Sequence, residues 1–208
     1  MANPGTSDSL PAIAEEVTGC PLCELSRSRT HAVPGEGNDQ ARVMLIGEGP
    51  GWHEDQQGKP FVGASGKFLT ELLSKAGLER EDVFITNVVK CRPPSNRDPL
   101  PDEIQACSMY LERQVAVIDP DVIVTLGRFS MSKYFPGERI SRIHGQAKQF
   151  GNRLVVPMYH PAAALHQSAL RAVIEEDFGK LPKLLAEREH AREVQSEQEE
   201  RPEQTSLF

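Results

Sequence analysis

Short apolar runs alternate with longer amphipathic segments along most of the chain. Runs rich in Val, Ile and Leu predict four buried strands, over residues 41–48, 82–89, 121–127 and 153–160. Apolar residues recur at helical spacing over 63–78, which predicts a helix between the first two strands. A proline and an acidic first turn predict a second helix over 100–118, and a third helix is predicted over 170–188.

The alternation of strands and helices predicts an α/β domain, with a parallel sheet covered by helices on both faces. Ligands bind at the carboxyl ends of the strands in such sheets. Unusual segments follow three of the predicted strands: GEGPG (47–51) after the first, NVVKCRPP (87–94) at the end of the second, and HPAAAL (160–165) after the last. We therefore expect these three segments to form one site.

The composition is that of a globular protein with one substantial domain. The chain has 208 residues, of which 38% are hydrophobic and 25% charged. No apolar run approaches the roughly 20 residues of a membrane span, and the first residues lack the basic and then apolar pattern of a signal peptide. We expect a cytoplasmic protein without membrane contact.

The net charge of −7 is unevenly distributed. Residues 186–208 contain seven Glu and three Arg, so this tail carries −4 of the total. Basic residues of the remaining chain fall into two groups, Lys90, Arg92 and Arg97 in one segment and Arg139, Arg142 and Lys148 in another. The acidic total therefore does not exclude a basic face for nucleic acid, although scattered solvated charges would give the same pattern.

Four cysteines carry the clearest chemical signal. Cys20 and Cys23 form a C-x2-C pair, Cys91 follows the second strand, and Cys107 lies in the next helix. In a reducing compartment such a set binds metal or carries redox chemistry more often than it forms disulfides. The spacing fits either a tetrahedral zinc or a [4Fe-4S] cluster and does not choose between them. Four unrelated buried thiols are the alternative.

Two nucleotide-binding motifs are incomplete. In GEGPGW the third glycine of a dinucleotide fingerprint would fall on Trp52. In FVGASGKF, Phe61 stands where a P-loop has its first glycine and Phe68 where it has Ser or Thr. An NTPase or a dinucleotide-dependent enzyme is therefore not predicted.

Taken together, GEGPGWHEDQQGKPFVGASGKFL, ITNVVKCRPPSNRDPLPDE, HPAAAL and the four cysteines resemble family 4 uracil-DNA glycosylases, the iron-sulfur branch of that superfamily. The resemblance spans about residues 20–185. It implies a three-layer α/β/α sandwich around a four-stranded parallel sheet. It also implies that Cys20, Cys23, Cys91 and Cys107 hold a structural [4Fe-4S] cluster, and that the protein excises uracil from DNA.

The resemblance also implies roles for residues at the strand ends. Phe61 would stack on the flipped uracil, and Asn87 would read its N3–H and O4. His160 would donate to O2 as the base departs with negative charge. The backbone amides of Glu48 and Gly49 would line the floor of the pocket.

The sequence departs from related patterns in two places. Family 1 enzymes carry GQDPY, whose Asp helps to activate water and whose Tyr excludes thymine, whereas Gly49 and Gly51 stand at those places here. Glu48 is the nearest carboxylate for positioning water, and the group that excludes thymine stays open. The basic, His-containing insertion of uracil-crosslinking relatives is absent from KCRPPSNRDPLPDE (90–103), so covalent trapping is not expected.

DNA contacts are expected from the loops around the pocket. HPAAALHQSALR (160–171) corresponds to the intercalation loop of the superfamily, which makes Leu165 a candidate wedge for the gap left by the flipped base. The candidate phosphate contacts are Lys90, Arg92, Arg97, Arg142 and His144. His144 is equally compatible with an ordinary loop residue.

The predicted domains are the glycosylase domain, residues 1–188, and an acidic tail, residues 189–208. The tail is too polar and charged to pack, which predicts disorder, yet it ends in QTSLF. Gln204 to Phe208 resemble the peptide by which bacterial repair proteins dock on the sliding clamp, so the clamp is a predicted partner of this otherwise monomeric protein.

A second class of function fits much of the same sequence. A non-catalytic α/β module with a structural metal site would bind uracil or single-stranded DNA without cleaving it. Intact Asn87 and His160 favour the enzyme, and release of uracil separates the two hypotheses.

Overall fold

The computed structural model describes residues 8–199. The strands are β1 (Glu36–Gly37), β2 (Val43–Gly47), β3 (Val83–Asn87), β4 (Val122–Leu126), β5 (Lys148–Phe150) and β6 (Arg153–Met158). The helices are α1 (Leu10–Gly19), α2 (Leu25–Ser28), α3 (Trp52–Gln57), α4 (Ala64–Lys75), α5 (Pro101–Ile118), α6 (Arg128–Ser132), α7 (Ile140–Ile143), α8 (Ala162–His166), α9 (Ala169–Phe178) and α10 (Leu181–Glu199).

The strands form one mixed sheet in the order β1-β3-β2-β4-β6-β5. The β3–β2, β2–β4 and β4–β6 pairs are parallel, whereas β1 and β5 pair antiparallel at the two edges. The predicted α/β class is confirmed. The sheet has six strands rather than four because two short, mostly exposed edge strands flank the apolar runs that the sequence pattern detects.

Helices cover both faces of the sheet. Along β2, Met44 and Ile46 pack with residues of α1 and α5, while Val43 and Leu45 pack with residues of α4 and α9. Successive side chains of a strand point to opposite faces, so a strand buried on both sides must be apolar throughout. The molecule therefore has three layers around two apolar cores.

Capping residues fix the start of two helices on one face. The Ser9 hydroxyl accepts a hydrogen bond from the Ala12 N–H (3.3 Å) at the beginning of α1. At the start of α5, Pro101 occupies the first turn and the Glu103 carboxylate accepts from the Leu100 N–H (2.7 Å). These two helices contact each other, and α5 carries one of the four cysteines.

The C-terminal region differs from the prediction in its helices. The single helix expected over 170–188 is divided into α9 and α10, and α10 continues through the predicted boundary at residue 188. Glu189 and Arg192 form ion pairs with Arg42 and Asp121 of the domain, which ties this part of the helix to the sheet. Residues 200–208, with the predicted clamp motif, lie outside the described part of the chain.

The carboxyl ends of β2, β3, β4 and β6 meet at one edge of the sheet. The connection after β2 places α4 on one face, whereas the connection after β4 places Met131 and Phe135 against the opposite core. Such a change of face opens a crevice beyond the strand ends. Among the described helices, none has the length and apolar character needed to cross a membrane.

Candidate active site

A pocket of about 600 Å³ lies at this edge of the sheet. It brings together the predicted base-binding residues Glu48, Gly49, Phe61, Asn87 and His160. Glu48 and Gly49 directly follow β2, and Asn87 is the last residue of β3. His160 is the second residue after the end of β6. Three segments that are far apart in sequence therefore meet around one space, as expected for the carboxyl ends of parallel strands.

Asn87 presents a free acceptor inside the protein. Its side chain is 2% exposed, and its Oδ1 atom has no hydrogen-bond partner among the described residues. A buried polar atom without a partner costs about 1–3 kcal/mol, so its retention points to a ligand group that satisfies it. Gly47 makes the room: a Cβ atom there would lie 2.4 Å from Oδ1 of Asn87 and 2.8 Å from the Phe61 ring.

Phe61 is held in a conformation that a bulky residue rarely adopts. Its φ angle is +52°, in the left-handed region, which costs about 1–3 kcal/mol. Arg80 donates to the carbonyls of Pro60 (2.9 Å) and Phe61 (3.3 Å). The buried Glu54 carboxylate accepts from the Val62 and Gly63 N–H groups (2.9 Å each) on the other side of Phe61. These contacts fix the ring against the pocket.

His160 is a neutral hydrogen-bond donor at ordinary pH. Its ring stacks on Phe61, with centroids 5.3 Å apart. Burial lowers the pKa of His160 to about 4, although the negative charge of Glu54 acts in the opposite direction. The Ala162 N–H points at Nδ1 (3.1 Å), so Nδ1 is the acceptor and the proton of the neutral ring is on Nε2. The imidazole therefore has one N–H left for a ligand.

Glu48 lies near a second carboxylate that sequence reasoning missed. Burial raises the pKa of Glu48, the charge of Asp98 raises it further, and Arg128 counteracts both. Asp98 lines the same pocket and is paired with Arg128. A backbone hydrogen bond joins the segments that follow β2 and β3, since the Val89 N–H donates to the Glu48 carbonyl (3.1 Å). Glu48 therefore keeps its proton up to a higher pH than an exposed glutamate does.

The four cysteines line a second, largely apolar pocket. Cys20 and Cys23 lie between α1 and α2, Cys91 follows β3, and Cys107 is on α5. None of the four, all within the described residues, forms a disulfide. Burial raises the pKa of Cys107 to about 11, so this sulfur needs a cation to become a thiolate.

The surroundings of the sulfurs suit an anionic metal cluster. Arg29 donates through Nη1 to Sγ of Cys91 (3.1 Å), and the Lys90 N–H donates to Sγ of Cys107 (3.3 Å). Within the described chain no three Cys, His, Asp or Glu residues come together as a site for a single metal ion. Four sulfurs that line one pocket, two of them accepting hydrogen bonds, form a donor set that a metal ion or a metal cluster could use.

The chain's relatives agree with this geometry. A family model described as the uracil DNA glycosylase superfamily matches residues 34–179. The protein of Sulfurisphaera tokodaii named type-4 uracil-DNA glycosylase is 52% identical over 187 residues, or 85% of each chain. That of Archaeoglobus fulgidus, with the same name, is 46% identical over 191 residues, which cover 88% of this chain and 96% of that protein. This chain belongs to the type-4 uracil-DNA glycosylases.

The predicted family is thereby confirmed. A type-5 uracil-DNA glycosylase of Thermus thermophilus is less similar, with 33% identity over 152 residues, which cover 58% of this chain and 69% of that protein. The four cysteines agree with the type-4 assignment, because they belong to the sequence pattern that resembles family 4.

Lys90 does not reach the surface of this type-4 glycosylase. The prediction that it contacts DNA phosphate is wrong: the residue is 1% exposed, and burial lowers the pKa of its ammonium to about 8. Its Nζ atom donates to Thr86 Oγ1 (2.5 Å), to the Asn87 carbonyl (2.8 Å) and to Gln114 Oε1 (2.7 Å). Lys90 therefore joins the end of β3 to α5, between the base-binding residue and the cysteines.

The other predicted DNA contacts lie at differing depths. Leu165 on α8 and Arg142 on α7 are exposed. Arg92 is half-buried and donates to Asn96, while Arg97 makes two hydrogen bonds to the buried Glu103 (2.7 and 2.9 Å). His144 pairs through Nδ1 with the buried Asp177 (2.7 Å). Arg92, Arg97 and His144 thus already have protein partners. The DNA contacts of all five residues stay predictions.

Proposed function

We propose that this protein removes uracil from DNA by hydrolysing the N-glycosidic bond, leaving an abasic site. The observation that carries the proposal is the buried, unpartnered Oδ1 of Asn87, a residue that lines one pocket with Phe61 and His160. Membership of the type-4 family supports it from an independent direction. The substrate is a deoxyuridine turned out of the DNA strand, because a base that stays inside the stack cannot enter a pocket of the protein.

Recognition of the base follows from the donors and acceptors of the pocket. Asn87 Oδ1 accepts the uracil N3–H, and Nδ2 donates to O4. Cytosine presents the reverse pattern, an acceptor at N3 and a donor at position 4, so it would leave both groups mispaired. Phe61 covers one face of the base, which contributes about 1–3 kcal/mol of stacking. Glu54 and Arg80 hold the Phe61 loop and act as positioning residues.

Cleavage requires stabilisation of the negative charge that develops on uracil. Nε2–H of neutral His160 donates to O2 and strengthens this hydrogen bond as the glycosidic bond breaks. No proton needs to be transferred, because the departing uracil anion is stabilised where it forms. A neutral histidine suits this task, since its pKa of about 4 keeps the same donor over the whole physiological range.

Water must be directed at the sugar carbon that loses the base. Glu48 is the carboxylate in the pocket wall that we assign to this role, and its ionised form is required to orient or deprotonate water.

The cysteines Cys20, Cys23, Cys91 and Cys107 would hold a [4Fe-4S] cluster. When bound, the group would cross-link the N-terminal helices to the sheet, and no step of base removal is assigned to it. Arg29 and the Lys90 N–H offset the negative charge of the four thiolates. In this position the sulfurs connect the loop after α1, the end of β3 and α5.

Uracil release is the direct test of the function. Purified protein, kept anaerobic, is incubated with a labelled oligonucleotide that contains one uracil, and abasic sites are revealed by alkali. We expect cleavage at the uracil position, and a His160→Ala variant should be slower by roughly 100- to 1,000-fold. The exposed His190→Ala serves as the matched control. Binding of the oligonucleotide without release of uracil would instead favour the non-catalytic module.

The pH dependence of the reaction should report on Glu48. Burial and Asp98 raise its pKa above the ordinary value of 4.5, so the carboxylate is lost at a higher pH than an exposed Glu would be. We expect kcat/KM to fall on the acid side through this raised pKa. Glu48→Gln should remove that decline together with a roughly 100-fold loss of rate. Asp98→Asn should move the decline to lower pH, and an unmoved profile in both variants would contradict the assignment.

We further infer that the enzyme acts as a monomer in the cytoplasm and docks on the sliding clamp through Gln204–Phe208. These residues lie outside the described structure, so the inference stands on the sequence QTSLF alone. A synthetic peptide of residues 200–208 should bind purified clamp, and a peptide with alanine at Leu207 and Phe208 should not. Equal binding of the two peptides, or none by either, would refute it.

A further inference from the structure

Large apolar side chains are exposed at a few places on the described surface, namely Leu22, Trp52, Leu100, Met109 and Leu165. Three of the five are close in sequence to residues that line the base pocket. Trp52 directly follows the pocket-lining Gly51, Leu165 precedes the pocket-lining His166, and Leu100 comes two residues after the pocket-lining Asp98. Leu165 is the wedge already predicted for this family, whereas Trp52 has no role in the proposed reaction.

Trp52 is the first residue of α3. It is 52% exposed and meets the His53 ring edge to face, with centroids 4.9 Å apart at 83°. His53 in turn packs on Gly63, where a Cβ atom would lie 3.4 Å from its Cδ2. Glu54, which lines the pocket, accepts from the N–H groups of Gly51 and Gly63, so short contacts join the indole, His53 and the pocket wall. A half-exposed indole beside a base pocket offers a surface for a planar ligand.

We propose that Trp52 stacks on a nucleobase next to the flipped uracil and thereby holds the DNA strand at the pocket entrance. This inference rests on the proposed function, since the strand must lead its uracil into the pocket. Every base has an aromatic face, so stacking on an indole is independent of sequence. The partner is nucleic acid because Trp52 directly follows Gly51, which lines the pocket proposed to accept a base.

The position of Trp52 assigns it a role complementary to that of Leu165. The two residues lie on different helices, α3 and α8, and each is next in sequence to a pocket-lining residue. Leu165 would fill the space that the uracil leaves, whereas Trp52 would contact a base that stays outside. Such a contact does not require a second strand, so it should matter most for single-stranded substrates.

Trp52 is the only tryptophan of the chain, so its fluorescence reports on this site alone. The probe is a single-stranded oligonucleotide with one 2′-fluoro-deoxyuridine, which enters the pocket but resists cleavage. We expect it to quench the emission of the wild-type protein in a saturable manner. With the cleavable oligonucleotide, Trp52→Ala should raise KM by about 10-fold or more, and kcat should change little. Trp52→Phe should retain most of the affinity.

Met109→Ala is the matched control, since Met109 is exposed on α5, outside the base pocket. Unchanged emission on saturation, together with a wild-type KM for Trp52→Ala, would overturn the proposal. The same result with normal uracil release leaves the proposed function intact. Quenching and weakened binding by Trp52→Ala, in a protein that releases no uracil, would instead support the stacking and refute the reaction.

Discussion

The Cys107→Ala protein is expected to lack the iron and the brown colour of the proposed cluster and to lose much of its stability. Cys107 lies on α5, and its sulfur is enclosed with those of Cys20, Cys23 and Cys91 in one apolar pocket. Metal binding that requires the folded arrangement of its ligands contributes its binding free energy to folding. Removing one buried ligand is therefore expected to destabilise α1, α2 and the end of β3.

Loss of a metal site belongs to the substitutions that cost more than about 4 kcal/mol. For a domain of this size, each kcal/mol lowers Tm by about 2–4 °C, so a decrease of roughly 10 °C is expected. Visible absorption, iron content and thermal unfolding measure the effect. Ser108→Ala is a suitable control because the neighbouring hydroxyl is exposed and bonds only within its own helix. A zinc-containing wild type, or an unchanged Tm in Cys107→Ala, would refute the cluster.

The central strands were predictable because both of their faces are buried. A strand such as β2, with all five residues buried, must be a continuous apolar run, and this pattern is visible in the sequence. The edge strand β1 has two exposed residues, Glu36 and Gly37, and its pairing with β3 depends on tertiary contacts. The length of α10 could not be predicted from the sequence either, because a polar helix held by ion pairs has little apolar periodicity.

The residues of the site differ in the same way: some are marked by a local sequence motif, whereas others are defined only by tertiary contacts. Asn87 and His160 are marked by motifs at strand ends, so sequence comparison finds them. Arg80 supports Phe61 from 19 residues away, and nothing in its own neighbourhood marks it. Lys90 was misassigned because a lysine among arginines suggests a basic surface. Only the approach of Gln114 from α5 reveals that its ammonium is satisfied inside the protein.

Asn87→Asp is expected to change which base the pocket accepts. An ionised carboxylate only accepts hydrogen bonds, so it cannot donate to uracil O4, and its buried charge would oppose the charge that develops on the departing base. In its neutral form the carboxyl presents one donor and one acceptor, which match N3 and the amino group of cytosine. Uracil removal should therefore fall by roughly three orders of magnitude or more, since sites built on hydrogen bonds discriminate by about 10⁴–10⁵.

We also expect Asn87→Asp to remove cytosine. The rate of cytosine removal should increase as the pH is lowered, because the neutral form of the carboxyl is required. Oligonucleotides with one uracil or one cytosine, assayed at single turnover, separate the two activities. Asn38→Asp is the matched control: Asn38 is exposed, and its Oδ1 accepts from the Gln40 N–H (2.8 Å), a bond that Asp preserves. Removal of uracil within about 10-fold of the wild-type rate would mean that the amide of Asn87 does not read the base. Recognition would then have to come from backbone groups of Glu48 and Gly49, which line the same pocket.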